Sequence, residues 1–147
     1  DQERARRAGM ENVPAIVGLG VAAGFRPRPE RAFAQTKALL EAALDVPGVV
    51  AYGSPTARLP HIVCVGVPGV EAEAVLLGLD QAGVAAHSGS ACSSESLEPS
   101  PVLEAMCVDA QRSLRLSVGW STTDDDLAAF VSSFAGVVSR LRALGAG

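Results

Sequence analysis

The sequence lacks a long apolar run, a surplus of positive charge and any pairing among its cysteines, and each shortage removes a class of function. Its longest apolar stretches, such as 62–67, fall far short of the roughly 20 residues a bilayer-crossing helix needs, so no membrane partner is expected. Twelve Lys and Arg stand against 16 Asp and Glu, giving a net charge of -4 and a pI near 5.1. That balance offers no basic field, and no direct nucleic-acid contact is expected. The first residues lack the charged start and apolar middle of a secretory signal. The three cysteines, Cys64, Cys92 and Cys107, are odd in number and contain no C-x-x-C pair. This argues against a disulfide framework and a structural zinc site, and no metal is expected. A reducing cytoplasm is the expected setting, because a free thiol survives there. Asp1 in place of a methionine leads us to expect a segment upstream.

What is present is the composition of one globular domain. The chain has 147 residues, 48% hydrophobic and 19% charged, enough to bury a core without staples. Asn12 or its successor is placed to cap a helix with Pro14 in the first turn. Gly24, Pro27 and Pro29 then break the chain. A second helix is expected over 30–44 with Phe33, Leu40 and Leu44 on one face, ended by Asp45-Val46-Pro47-Gly48. Strands are expected over 49–52, 62–67, 84–87 and 113–118. A helix over 71–82 carries acidic residues in its first turn and Gly83 past its end. A loop over 88–101 and a short helix over 102–106 come before the last strand, where Leu114, Leu116 and Val118 face opposite to Arg115 and Ser117. Ser121-Thr122-Thr123 and three aspartates start a closing helix, lined on one side by Leu127, Phe130, Phe134, Val137, Val138, Leu141 and Leu144. The order of elements predicts an α/β fold, a small mixed sheet with helices packed against it.

Chemistry concentrates at two places. Ser88-Gly89-Ser90-Ala91-Cys92-Ser93-Ser94 sets a thiol among the smallest side chains, which leaves its sulfur accessible; the alternative is a surface-loop cysteine without a role. Arg115 presents a guanidinium from a rigid strand and suits a two-pronged bond to a carboxylate or phosphate; the alternative is a solvated strand face. Cys64, in an apolar strand, reads as a core residue, and Cys107 as a packing residue. His61 and His87 read as structural, and His87 with Cys92 lacks the third group that would orient a Cys-His hydrolase.

The segment Ser88 to Ser94, continued by Ser96-Leu97-Glu98-Pro99-Ser100 and Val102-Leu103, resembles the active-site loop of cysteine desulfurases, in the class V aminotransferase superfamily. The resemblance extends through Leu114-Arg115-Leu116-Ser117-Val118-Gly119-Trp120-Ser121-Thr122-Thr123. It also covers Leu59-Pro60-His61-Ile62-Val63, Pro68-Gly69-Val70-Glu71 and Arg7-Ala8-Gly9-Met10-Glu11-Asn12-Val13, in the family's order.

The resemblance implies the C-terminal small domain of a fold-type I pyridoxal phosphate enzyme. Residues 1–29 would be a linking segment and helix from the large domain, and 30–147 the small domain carrying the cysteine loop 88–101. It implies conversion of L-cysteine to L-alanine, with pyridoxal phosphate as electron sink and a persulfide left on Cys92 for a sulfur-acceptor protein. Cys92 matches the persulfide-forming cysteine, and Arg115 matches the arginine that clamps the substrate carboxylate. A homodimer is implied, and the uses of such persulfides include iron–sulfur cluster assembly, RNA thiolation and DNA phosphorothioation.

Three residues depart from the family pattern. Lys37 is the only lysine and lacks the family's Ser-x-His-Lys context, so this chain alone is expected neither to hold the cofactor nor to turn over cysteine. Met10 stands where a threonine reaches the cofactor phosphate of the partner subunit, and a thioether cannot donate that bond. Cys107 stands at a common glycine. The alternatives are a persulfide carrier without pyridoxal phosphate chemistry, a selenocysteine lyase-type enzyme, and a packing or dimerisation domain with a silent cysteine.

Overall fold

Alternation along the strands gives the sheet an apolar face and a more polar one, and the long helices gather on the apolar side. The computed structural model describes residues 9–25, 29–89 and 100–145. In chain order the elements are α1 (Val13–Gly24), α2 (Pro29–Leu44), β1 (Val50–Tyr52), β2 (Ile62–Gly66), α3 (Ala72–Gln81) and β3 (His87–Ser88). They continue with α4 (Pro101–Ala105), β4 (Ser113–Ser117) and α5 (Asp124–Gly145). The sheet order is β1-β2-β4-β3. The α/β class and the small sheet backed by helices are as expected.

The strand directions correct the expectation of a mixed sheet, because every hydrogen-bonded pair is antiparallel. β2 and β3, joined through α3, do run the same way. β4 inserts between them and pairs with both, so no parallel ladder forms among the described residues.

Val63 and Val65 on β2 lie opposite Leu116 and Leu114 on β4, and all four are buried. Onto them pack Leu39 and Ala43 of α2, Val75 and Leu79 of α3, and Phe130, Phe134, Val137 and Val138 of α5. The Phe130 and Phe134 rings stack with centroids 4.9 Å apart. Each of the larger ones, Val, Leu or Phe, contributes roughly 1.5–3 kcal/mol on burial.

The buried side of α2 lies one residue round from the expected stripe. Gln35, Thr36, Leu39 and Ala43 are buried, while Phe33 and Leu44 are exposed. Hydrogen bonds make this possible: Thr36 Oγ1 donates to the Pro60 carbonyl at 2.9 Å, and Gln35 Nε2 to the Thr122 carbonyl at 3.1 Å. A satisfied polar group can occupy a core-facing position.

The helix ends follow their chemistry. Asn12 Oδ1 accepts from the Ala15 amide at 3.1 Å and caps α1. At the start of α5, Asp126 Oδ2 accepts from the Thr123 amide at 2.8 Å, and Thr123 Oγ1 accepts from the Asp126 amide at 3.3 Å, a reciprocal capping pair. An 18-residue window of α5 has mean hydropathy 1.4, so the helix is long and apolar enough to cross a bilayer. The short apolar runs of the sequence did not reveal this, and the apolar side of α5 is taken up by the core. By contrast α1, apolar throughout, buries no residue.

Candidate active site on the open face of the sheet

The residues that alternate with the core set point to the other face of the sheet. There the strand register places four side chains in a row: Tyr52 of β1 opposite Cys64 of β2, Cys64 opposite Arg115 of β4, and Arg115 opposite His87 of β3. Directly opposed side chains have Cβ atoms roughly 4.5–5.5 Å apart, so each member is a neighbour of the next.

Arg115 occupies the inner strand and is half-buried. Two other arginines of the fold have internal partners. Arg112 bonds Asp109 at 2.9 Å and Glu71 at 2.8 Å, and Arg142 donates to the carbonyls of Pro47 and Pro68 at 2.6 and 3.1 Å. Arg115 makes no ion pair within the described residues. A partly desolvated guanidinium without a counter-charge is suited to receive an anion.

Cys64 is half-buried on this open face, which corrects its assignment to the core, because Val63 and Val65 already take the core side of β2. Burial pushes its thiol pKa up, and the charge of Arg115 works against that rise. Burial likewise raises the pKa of Tyr52, with the Asp109 carboxylate adding to the effect. The Tyr52 ring lies over Gly66, where a Cβ would meet the ring and hydroxyl. His87 is exposed, and its Nδ1 sits 3.1 Å from the Ser88 carbonyl oxygen. His61, also exposed, serves through its backbone, its carbonyl accepting from the Val118 amide at 3.0 Å.

From Cys64 the open face continues into an apolar groove of about 600 Å³ between α2, β1 and α4, lined in part by Leu40, Leu44, Ile62 and Met106. At its edge Arg58 lies over the Phe33 ring, 4.7 Å from the centroid.

The backbone beyond the row is tightly fixed. The Gly89 amide donates to the Ser113 carbonyl at 3.0 Å, and a Cβ at Gly89 would collide with Ser113 Oγ and the Leu103 side chain. A glycine is therefore required where the chain leaves β3. Cys92 lies in segment 90–99, outside the described residues. Described structure resumes at Ser100, the N-cap of α4. Met10 is 89% exposed beside α1 and is not brought to the row.

The pyridoxal phosphate implied by the sequence resemblance does not fit the residues of this chain. The only lysine, Lys37, is exposed on α2 and paired with Glu41 at 3.6 Å, while the row contains no amine. Among the described residues no cluster of His, Cys, Asp or Glu is placed to hold a metal.

Sequence reasoning identified Arg115 but not its neighbours. The signal for Cys64 was its strict alternation with Val63 and Val65. His87 becomes visible only through the β3–β4 register.

A family model described as aminotransferase class V matches residues 1–130. The cysteine desulfurase of Gluconacetobacter diazotrophicus is 42% identical over 150 residues, covering 96% of this chain and 38% of that protein. The cysteine desulfurase NifS of Azotobacter vinelandii is 39% identical, covering 96% and 37% respectively. The X-ray structure of a NifS-like protein from Rickettsia africae matches with a TM-score of 0.74 at 28% identity, covering 94% of this chain and 38% of that one. The chain thus spans under two-fifths of the length of these relatives.

Proposed function

Because the chain belongs to the class V aminotransferase family, we propose that it is the C-terminal part of a cysteine desulfurase, in which Arg115 holds the carboxylate of L-cysteine and Cys92 receives its sulfur. The observation that carries this reading is Arg115 itself, half-buried on the open face of the sheet without an ion-pair partner among the described residues. The balanced reaction takes L-cysteine and the Cys92 thiol to L-alanine and a Cys92 persulfide, which then passes to an acceptor protein. The assignment of Cys92 rests on the resemblance of its loop.

The contribution of this chain is to bind, orient and accept. Arg115 fixes the substrate by one end with a bidentate, charge-assisted contact, leaving the sulfur-bearing end for the thiol. Pyridoxal phosphate supplies the electron sink for such chemistry when bound, and it would be held by protein beyond this chain. The apolar helix α1 supports the same division: an all-apolar helix belongs in an interior, so residues 1–29 are read as joining the small domain to a large one. The proposed assembly is a homodimer in a reducing cytoplasm, where Cys64 and Cys107 remain the free thiols they are here.

The absence of any lysine but Lys37 favours one second reading, a persulfide carrier that works without the cofactor. Joining the chain to the rest of its polypeptide separates the two. The desulfurase reading expects alanine release from cysteine and a persulfide on Cys92, both lost in Cys92→Ala. Persulfide transfer to Cys92 from a separate donor, with no alanine formed by the joined protein, would establish the carrier instead. Persulfide retained in Cys92→Ala would move the nucleophile elsewhere.

A further inference from the structure

Resting on the carboxylate reading of Arg115, we propose that His87 is a second contact for the same carboxylate, engaged only when its imidazole is protonated. His87 stands directly opposite Arg115 in the β3–β4 register, and side chains so paired share a face of the sheet. It is exposed on the face where Arg115 has no ion-pair partner among the described residues, so a carboxylate held by Arg115 lies within reach of the next strand.

The hydrogen bonding of the ring decides what His87 can offer. With Nδ1 3.1 Å from the Ser88 carbonyl oxygen, Nδ1 carries the proton and donates, because two lone pairs would repel. That leaves Nε2 of the neutral ring as an acceptor, useless to a carboxylate. Taking up one proton from solvent turns Nε2–H into a charged donor.

Among the described residues of this face, Arg115 of β4 is the charged group paired in register with His87, with Cys64 of β2 beyond it. The other element packed on β3, α3, lies on the core side and buries Ala72, Val75 and Leu79. A carboxylate bound beside Arg115 favours the charged form of the imidazole paired with it. Carboxylate binding and proton uptake at His87 therefore favour each other, by reciprocity of linkage. The consequence is a substrate affinity that rises as pH falls through the imidazole range.

Propionate is the suitable probe, because it has the carboxylate of the substrate but neither amine nor thiol. Its dissociation constant is measured by ligand-observed NMR on the full-length holoenzyme at about pH 6 and about pH 8, the range over which imidazoles change charge. The wild type should bind roughly three- to tenfold more tightly at the lower pH, the scale of one solvent-exposed polar contact. His87→Gln should abolish that difference while still binding at the higher pH, and its exposed position leaves folding intact. A wild type indifferent to pH, or a His87→Gln variant with the wild-type pH dependence, overturns the role of His87. Arg115→Ala separates the two levels of the argument. Loss of propionate binding in that variant upholds the clamp even if His87 fails, whereas wild-type binding overturns the carboxylate reading itself.

Discussion

On β4, Leu114 and Leu116 point to one side and Arg115 to the other, and the two sides of that strand have different duties. The core side is closed and apolar, and Val63, Val65, Leu114 and Leu116 are each at most 5% exposed. The open side carries a phenol, a thiol, a guanidinium and an imidazole in register, beside a groove that no described element fills. One backbone supplies both because the side-chain period of a strand is two. Stability can therefore be concentrated on one set of residues and chemistry on the set between them, on the same five-residue strand. The open-face groups gain a rigid platform that a loop would not provide.

The comparison breaks most sharply at adjacent positions. Leu114→Ala should destabilise the chain by about 3 kcal/mol, from lost burial and the cavity left behind, visible as a lower denaturation midpoint in urea. Arg115→Ala, one residue along, should move that midpoint by about 1 kcal/mol or less. In the full-length protein the order should reverse for function, with Arg115→Ala losing cysteine binding. A large stability loss in Arg115→Ala would mean that the guanidinium is part of the packing after all.

A smaller effect of opposite sign is expected at the end of α4, the helix on the open side. α3 and α4 both finish with a left-handed residue, Gly83 at φ +79 and Cys107 at φ 56. The Cys107 amide donates to the Glu104 carbonyl at 2.8 Å, and the Val108 amide to the Leu103 carbonyl at 3.1 Å, which holds the turn closed. A Cβ in this conformation costs roughly 1–2 kcal/mol, partly offset because glycine loses more entropy on folding. Cys107→Gly should therefore raise stability by about 0.5–1 kcal/mol, measured by the same urea titration. Destabilisation would show that the thiol has a packing role that outweighs the strained turn.

What the sequence made legible follows from the same two-sidedness. The alternation Leu114-Arg115-Leu116 placed Arg115 opposite the core, and the apolar spacing from Leu127 to Leu144 placed α5, because local periodicity reports which face a residue takes. Leu144 at the end of that helix is the exception and is exposed. The α2 stripe was misjudged because periodicity cannot see that Thr36 and Gln35 find carbonyl partners 24 and 87 residues away. The strand directions were misjudged because β4 comes last in the sheet yet lies in its middle, and insertion between β2 and β3 leaves no local trace. His87 was passed over for the same reason: its link to Arg115 is a pairing between strands, not a spacing along one. The loop motif around Cys92 was legible only through resemblance.

The smallest expected effect concerns pH and the start of α5, on the core side. Asp126 accepts from both the amide and the hydroxyl of Thr123, and these bonds hold its carboxylate pKa below the usual value, backbone bond first. In the unfolded chain the bonds are gone and the ordinary carboxylate value returns. The folded state therefore binds the proton more weakly, so the contribution of Asp126 is fully present above the unfolded pKa and is lost as pH falls through the folded one. Urea midpoints should decline on acidification into that range, and Asp126→Asn should flatten part of the decline, since an amide still accepts the Thr123 bonds but does not titrate. His87 offers the contrast. His87→Gln should alter carboxylate binding while leaving the urea midpoint in place, because the side chain sits exposed on the open face. A midpoint that followed His87 rather than Asp126 would erase the division between the two sides of the sheet.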